Sequence, residues 1–428
     1  MKNDTQSHSP YLFIGPLTQC LPMTSLNVKG ALKDEDLPII SNAGILCQDN
    51  KIKKIAEYEE LKSEALTRNA RFIVLEGDYV CTPGFIDAHT HICFAGSRAR
   101  DYALRNAGKT YLEIAKAGGG IWDTVTQTRK ASLKELVELT AVRANTLLQS
   151  GITTVEVKSG YGLSIKEELK MLRAINQANQ NTLADLISTC LAAHMLPKDY
   201  EGTAEAYLGE ISAELFPILI KEELTHRIDA FIEESAFSET TIRSYFEKAK
   251  AMGFDITVHA DQFTTGGSKV AVEFKALSAD HLEASSDVEI KLLAASNVIA
   301  VALPGASLGL GCDFTPARKL LDKGGALAIA SDWNPGSAPM GDLLLQACVL
   351  GTFEKLTNAE LLAGITYRAA AVLNLEDRGT LAPDNLADFN LFQTDHFNEI
   401  FYQQGKLKPS FVFKNGELIQ NDSLKTHL

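Results

Sequence analysis

The stretch Pro83-Gly84-Phe85-Ile86-Asp87-Ala88-His89-Thr90-His91 decides how the rest of the chain is read. Phe85 and Ile86 have the apolar character of a buried strand end. Alternate residues of a strand point the same way, so His89 and His91 can aim both imidazoles at one spot. Neutral imidazole is the commonest side-chain metal ligand, and a first-row divalent ion is its natural guest. A pair of surface or cap histidines has the same spacing, so residues further along the chain have to separate the two readings.

Downstream, short apolar segments recur at 79–86, 153–157, 186–192, 228–232, 255–258, 276–278, 298–302 and 327–330. Helical patterns lie between most of them, as at 133–148, 165–178, 204–215, 239–252, 288–295 and 316–321. Strands alternating with helices imply a parallel sheet, and units of this number and length fit an α/β fold, a (β/α)8 TIM barrel. The long insertion after the first segment, through Gly118-Gly119-Gly120, reads as an active-site loop. Neither 118–120 nor 305–311 is a phosphate-binding loop, because neither carries the Gly-Lys-Ser/Thr of such a loop. Both read as turns or lids.

The two ends of the chain have another style. Residues 44–55 read as two strands joined at Asp49-Asn50-Lys51, and residues 409–419 as a hairpin turning at Asn415-Gly416. Both ends are therefore expected to build one small β domain together. The predicted organisation is a composite β-sandwich from 1–82 and 379–428 around a catalytic barrel at 83–378.

Composition bounds the function. The 428 residues are 45% hydrophobic and 22% charged, an ordinary globular balance with material for a large core. A formal charge of -13 argues against nucleic acid and anionic membrane as partners. No run of about 18 apolar residues reads as a spanning helix, and residues 1–10 are too polar for a signal peptide. The cysteines at 20, 47, 81, 93, 190, 312 and 348 are scattered without CxxC spacing. They read as buried reduced thiols, which predicts a cytoplasmic protein.

Strand after strand then ends in a chemical group. The first ends at His89 and His91, and the second leads to Glu156, Lys158 and Tyr161. The third ends at His194, the fifth at His259, the sixth at His281 and the eighth at Asp332. Barrel active sites lie at these C-terminal ends. One histidine there is more often structural than a ligand, but the constellation is far more specific than any member. His89, His91, His259 and Asp332 make a metal set with room for water, as catalytic zinc sites require. Such a metal brings the water pKa towards about 7. Asp332 can bind the metal, accept the water proton and pass it to a leaving nitrogen. His281 is left to polarise a substrate carbonyl or to support a ligand from behind.

On Pro-Gly-Phe-Ile-Asp-Ala-His-Thr-His, His259, His281 and Ser331-Asp332, the chain resembles the amidohydrolase superfamily. Finer motifs are similar to its imidazolonepropionase family. They are Phe94-Ala95-Gly96-Ser97-Arg98, Ala117-Gly118-Gly119-Gly120-Ile121, Glu156-Val157-Lys158-Ser159-Gly160-Tyr161-Gly162-Leu163, His259-Ala260-Asp261-Gln262, Ser278-Ala279-Asp280-His281-Leu282 and Ser331-Asp332-Trp333-Asn334-Pro335-Gly336-Ser337. The resemblance spans nearly the whole chain.

The resemblance implies hydrolysis of 4-imidazolone-5-propanoate, a cyclic amide with a propionate, to N-formimidoyl-L-glutamate in histidine degradation. Metal-bound hydroxide would attack the ring carbonyl. It implies one Zn2+ or Fe3+/Fe2+ ion per subunit, a homodimer, and catalytic roles for Asp332, His281 and Gln262. Arg98 would take the propionate, since its planar fork suits a carboxylate. Tyr161, His194 and Gln262 would contact the ring, and Asn334, Gly336 and Ser337 would form a loop gripping product or propionate. Some relatives carry an acid where Gln262 stands. An amide does not titrate, so acid–base work then falls on Asp332 and His281.

Two-metal amidohydrolases bridge their ions with a carbamylated lysine from a mid-barrel strand, and Lys158 lies near that place. The family resembled uses one metal, so Lys158 reads as an ion-pair partner of Glu156 or an orienting group. Two other readings use the same residues. A deaminase of a purine, pyrimidine or guanidino compound would share the metal set, but Arg98 and the 331–337 loop favour a carboxylate-bearing substrate. A non-catalytic barrel would be expected to have lost ligands, and here every ligand position is filled.

Overall fold

The computed structural model describes residues 9–110, 113 and 117–419. The chain begins with β1 (Tyr11–Cys20), β2 (Ile40–Gln48), β3 (Lys51–Glu57), β4 (Arg71–Val74) and β5 (Tyr79–Pro83). Next come β6 (Phe85–Asp87), β7 (Ile152–Lys158), β8 (Asp185–Ala193), β9 (Arg227–Phe231), β10 (Asp255–Ala260), β11 (Ser278–His281), β12 (Ile299–Ala302) and β13 (Ala326–Ile329). The last strands are β14 (Phe389–Gln393), β15 (Phe411–Lys414) and β16 (Glu417–Ile419).

β6 to β13 pair in chain order, all parallel, as one eight-stranded sheet. Every residue of β7, β12 and β13 is buried, as expected when helices cover the outside and side chains fill the inside. The helices start where a hydroxyl can cap them. Ser132 accepts from Glu135 N ahead of Leu133–Gln149, Ser164 from Glu167 N ahead of Ile165–Asn179, and Thr203 from Ala206 N ahead of Ala204–Lys221. Leu136, Ala144 and Leu147 on the first of these face the barrel core.

The sheet curls until its edges meet just beyond β6 and β13. There Asp332 N donates to His89 O at 3.0 Å and His91 N to Trp333 O at 3.0 Å. Ser331 N donates to Asp87 Oδ1 at 2.9 Å. These bonds close an α/β barrel.

Both chain ends enter the second sheet, as expected. Its order is β16-β15-β14-β5-β1-β2-β3, with β4 also on β1. Its core stacks Phe389 on Phe413 at 4.5 Å and packs Ile14, Ile45 and Leu391 beside them. The hairpins turn at Asp49-Asn50 and Asn415-Gly416, with Asp49, Asn415 and Gly416 at positive φ. All seven cysteines are free. No helix among the described residues is long and apolar enough to cross a membrane.

The structure corrects the sequence reading in several places. The apolar run 79–86 is two strands in two sheets, because Gly84 breaks it. Gly84 N donates to Asp388 O, just ahead of β14 of the end-built sheet, while Phe85 N donates to Gly151 O, just ahead of β7 of the barrel. A Cβ on Gly84 would lie 2.4 Å from Thr153 Oγ1 and 2.7 Å from its Cγ2. Segment 276–278 shifts to Ser278–His281. Helix 239–252 begins only at Arg243, since Ser238 first folds a turn by accepting from Thr241 N. The glycine-rich 305–311, read as a turn or lid, is the helix Pro304–Leu310, ended by Gly311 at φ 69°.

Gly84→Ala is expected to cost about 1–3 kcal/mol through overpacking, seen as a lower urea midpoint, with Thr153→Ala in the same chain restoring part of it. An unchanged midpoint would show slack at this junction.

Candidate metal centre and its pocket

His89 and His91 follow β6, His259 lies on β10 and Asp332 follows β13. His89 Nε2 lies 3.3 Å from His91 Nε2, which lies 3.4 Å from His259 Nε2. Asp332 Oδ1 is 3.4 Å from His91 Nε2 and 3.6 Å from His89 Nε2. His281 joins the group through its own ring nitrogen. All five side chains are buried.

The rings present lone pairs. His89 Nδ1 is 2.7 Å from Asp280 Oδ2 and His259 Nδ1 is 3.0 Å from Asp229 Oδ2. A carboxylate at Nδ1 keeps the proton there and leaves Nε2 as an acceptor. Burial holds His89 and His91 well below the ordinary histidine pKa, and lowers His259 to about 4 although Asp229 pulls it up. Burial pushes the Asp332 carboxyl up to about 6, against the charge of His281 and the Asn334 amide. Neutral imidazoles and one carboxylate facing a common point fit a first-row cation in donor type and number.

His281 differs. Burial alone would lower its pKa, but Glu283, 3.5 Å away, with Asp332 and Asp280, carries it above the ordinary value. Its direction comes from strained backbone. Asp280 and His281 are neighbours on β11, so strand alternation would turn them apart. Asp280 instead meets His89 from inside, while His281 at φ 85° and Leu282 at φ 74° swing the strand end round. Asp332 adopts φ 50°. Such residues cost of order 1–3 kcal/mol each and persist where surrounding structure holds them. Here Thr315 Oγ1 donates to His281 O.

Above the cluster opens a cavity of about 580 Å³, lined among others by Arg98, Tyr161, His194 and Gln262. His194 Nδ1 donates to Gly160 O at 3.0 Å, and burial lowers its pKa to about 4, so its Nε2 is an acceptor. Burial raises the Tyr161 phenol, which keeps its proton. Arg98 is oriented by an ion pair with Asp101, whose carboxylate also accepts from Gly120 N at 2.8 Å. Gly336 makes room for it, since a Cβ there would lie 3.1 Å from Arg98 Nη1.

Asn334 braces its own loop. Its amide donates to Asp332 O and Ser337 Oγ and accepts from Gly336 N and Ser337 N. Gly309 lets that loop pack closely, because a Cβ there would fall 1.6 Å from Ser337 O. The structure thus brings together every site residue expected from sequence.

Sequence reasoning missed Asp229, Asp280, Glu283, Asp101 and Arg105. Asp229 had a legible signal, a carboxylate inside the apolar segment 228–232. Arg105 lines the cavity with its guanidinium 3.4 Å from Gly336 O.

Residues 80–419 match the amidohydrolase family model. An imidazolonepropionase of Acinetobacter baumannii (strain ACICU) is 39% identical over 381 residues, covering 88% of this chain and 94% of the relative. One of Symbiobacterium thermophilum is 40% identical, covering 91% and 92%. Among solved structures, guanine deaminase of E. coli superposes with a TM-score of 0.72 at 16% identity, covering 96% of this chain and all of the other. At that identity it shares the fold.

His259→Ala is expected to strip the cluster of most of its metal. Metal analysis of protein purified without added metal should find about one first-row ion in the unaltered chain and well under half in the variant. Equal contents would place the ion elsewhere.

Proposed function

We propose how the residues of this chain, which belongs to the imidazolonepropionase family of amidohydrolases, carry out their reaction. The protein is a hydrolase of cyclic-amide C–N bonds acting on 4-imidazolone-5-propanoate. The observation that carries the residue assignment is the convergence of neutral imidazoles and one carboxylate at a pocket that Arg98 also lines.

His89, His91, His259 and Asp332 would hold one ion, zinc or iron. When bound, the ion supplies Lewis-acid activation of a water and of the ring carbonyl. Asp332 Oδ1 faces the imidazoles while Oδ2 lies 3.4 Å from Ser337 Oγ, towards the pocket. We assign Oδ2 the proton of the attacking water. The same oxygen returns it to the ring nitrogen as the C–N bond breaks, giving N-formimidoyl-L-glutamate. A group that both takes and gives a proton works best with a pKa near the operating pH. His281, biased positive by Glu283, donates to the carbonyl oxygen as charge develops there.

His194 Nε2 accepts a ring N–H, and Gln262 reads the ring with an amide that does not titrate. The Tyr161 phenol covers one face. Arg98, held by Asp101, meets the propionate beside the loop shaped by Asn334, Gly336 and Ser337. Free thiols throughout suit a reducing compartment, and we take the cytoplasm as the place of action.

Ultraviolet loss of freshly generated 4-imidazolone-5-propanoate tests the assignment. The purified protein should consume it, a chelated sample should not, and Asp332→Asn should be slower by about 10³-fold. A fully active Asp332→Asn would remove Asp332 from the proton path. No consumption by metal-loaded protein would redirect attention to deamination of cyclic or guanidino compounds.

Arg98→Ala should raise KM by about 10–100-fold with little change in kcat, the size of a charge-assisted hydrogen bond made equally in ground and transition state. An unchanged KM would assign the propionate to another group.

A further inference from the structure

Lys158, at the end of β7, is one of the largest fully buried side chains of the protein, and the reaction above does not use it. Its Nζ lies 2.8 Å from Glu156 Oε1, 2.8 Å from Asp229 Oδ2 and 3.6 Å from Asp280 Oδ2. These two aspartate oxygens are the ones that face His259 Nδ1 and His89 Nδ1. Each is therefore shared between the ammonium and an imidazole. Asp229 Oδ1 and Asp280 Oδ1 have no hydrogen-bond partner among the described residues, and neither do Asp229 Oδ2 and His259 Nδ1, so the Asp229 arm is held by charge at ion-pair distance. Lys158, Asp229 and Asp280 come from β7, β9 and β11, alternate strands, which is how a closed barrel assembles one interior layer.

Buried charges persist when they are paired. Asp229 and Asp280 share one cation, and without it they would repel each other and be free to turn about their side-chain torsions. A ligating imidazole is aimed by whatever accepts its other N–H, and loss of such a partner commonly weakens metal binding.

We propose that Lys158 is a positioning residue of the metal centre: its ammonium holds the Asp229 and Asp280 carboxylates against His259 Nδ1 and His89 Nδ1, and so sets the direction of both Nε2 lone pairs. This rests on the metal-centre reading above. One buried lysine thereby controls two ligands from strands on different sides of the barrel. Glu156 completes the charge pairing and touches no metal histidine side chain, its Oε2 being 3.4 Å from Thr90 N.

The test is a Co2+ titration of the full chain after chelation, followed by visible d–d absorption, on the unaltered protein, Glu156→Gln, and Glu156→Gln with Lys158→Met. The double variant removes one charge of each sign, which favours folding, and its unfolding temperature without metal is compared with that of Glu156→Gln. The unaltered protein and Glu156→Gln should agree within roughly a factor of two. The double variant should bind Co2+ about 10–100-fold more weakly, with a shifted d–d band.

Affinity and spectrum equal to those of Glu156→Gln would overturn the proposal, as would an equal loss in Glu156→Gln alone. Should the double variant fail to fold, Asp280→Asn cuts one arm with the ammonium in place. A comparable loss there supports the proposal and unchanged binding overturns it. If the unaltered protein takes up no Co2+, the metal-centre reading falls as well, whereas uptake by all variants alike removes only Lys158.

Discussion

The barrel closes through the same residues that make its donor cluster, and the geometry of the site depends on that coincidence. His89 and His91 accept and donate backbone bonds across the seam to Asp332 and Trp333. β6 is only three residues long, so the ladder on that edge is short and the seam carries the closure. The imidazoles of His89 and His91 and the Asp332 carboxylate are placed by the bonds that join the sheet edges. A shift in register at the seam would move the ligands and open the barrel together. Positioning on strand ends is more rigid than positioning on free loops, and here the strand ends are also tied to each other.

A buried charged layer supports that seam from beneath. Glu156, Lys158, Asp229 and Asp280 are all essentially inaccessible, and burying charge is costly unless it is paired. Breaking one member of a buried charge network typically costs about 3–5 kcal/mol, so the layer has to form as a unit. In return the His89 and His259 imidazoles above it, kept neutral by burial, are held with their lone pairs on one side. The strained backbone at His281, Leu282 and Asp332 has the same character. Local stability is given up at strand ends so that side chains which alternation would separate face one point.

The electrostatics of the pocket run against those of the whole molecule. The protein carries a formal charge of -13, yet Arg98 and Arg105 line the cavity. An anionic substrate is recognised locally, through an oriented guanidinium, while the acidic exterior repels polyanions. Gly309 and Gly336 serve this in a similar way. Each lacks a Cβ that would crowd the 334–337 loop or the Arg98 guanidinium.

Much of this was legible in the order of residues. Alternation of apolar strand and helix patterns announces a barrel because periodicity is a local property. His89, His91, His194, His259, His281 and Asp332 stand out because each directly follows or ends such a strand. Motif resemblance then narrows the chemistry. What sequence could not supply was the partner of each of these groups. Asp280 lies 191 residues from His89, and Lys158 meets Asp229 from the next strand but one in the barrel. The split of 79–86 at Gly84 was hidden for the same reason, since the Thr153 side chain that demands glycine belongs to another strand. The sequence determined which residues carry chemistry and which elements bear them. Only closure of the barrel decided which atoms meet, because those distances depend on the curvature and register of all its strands at once.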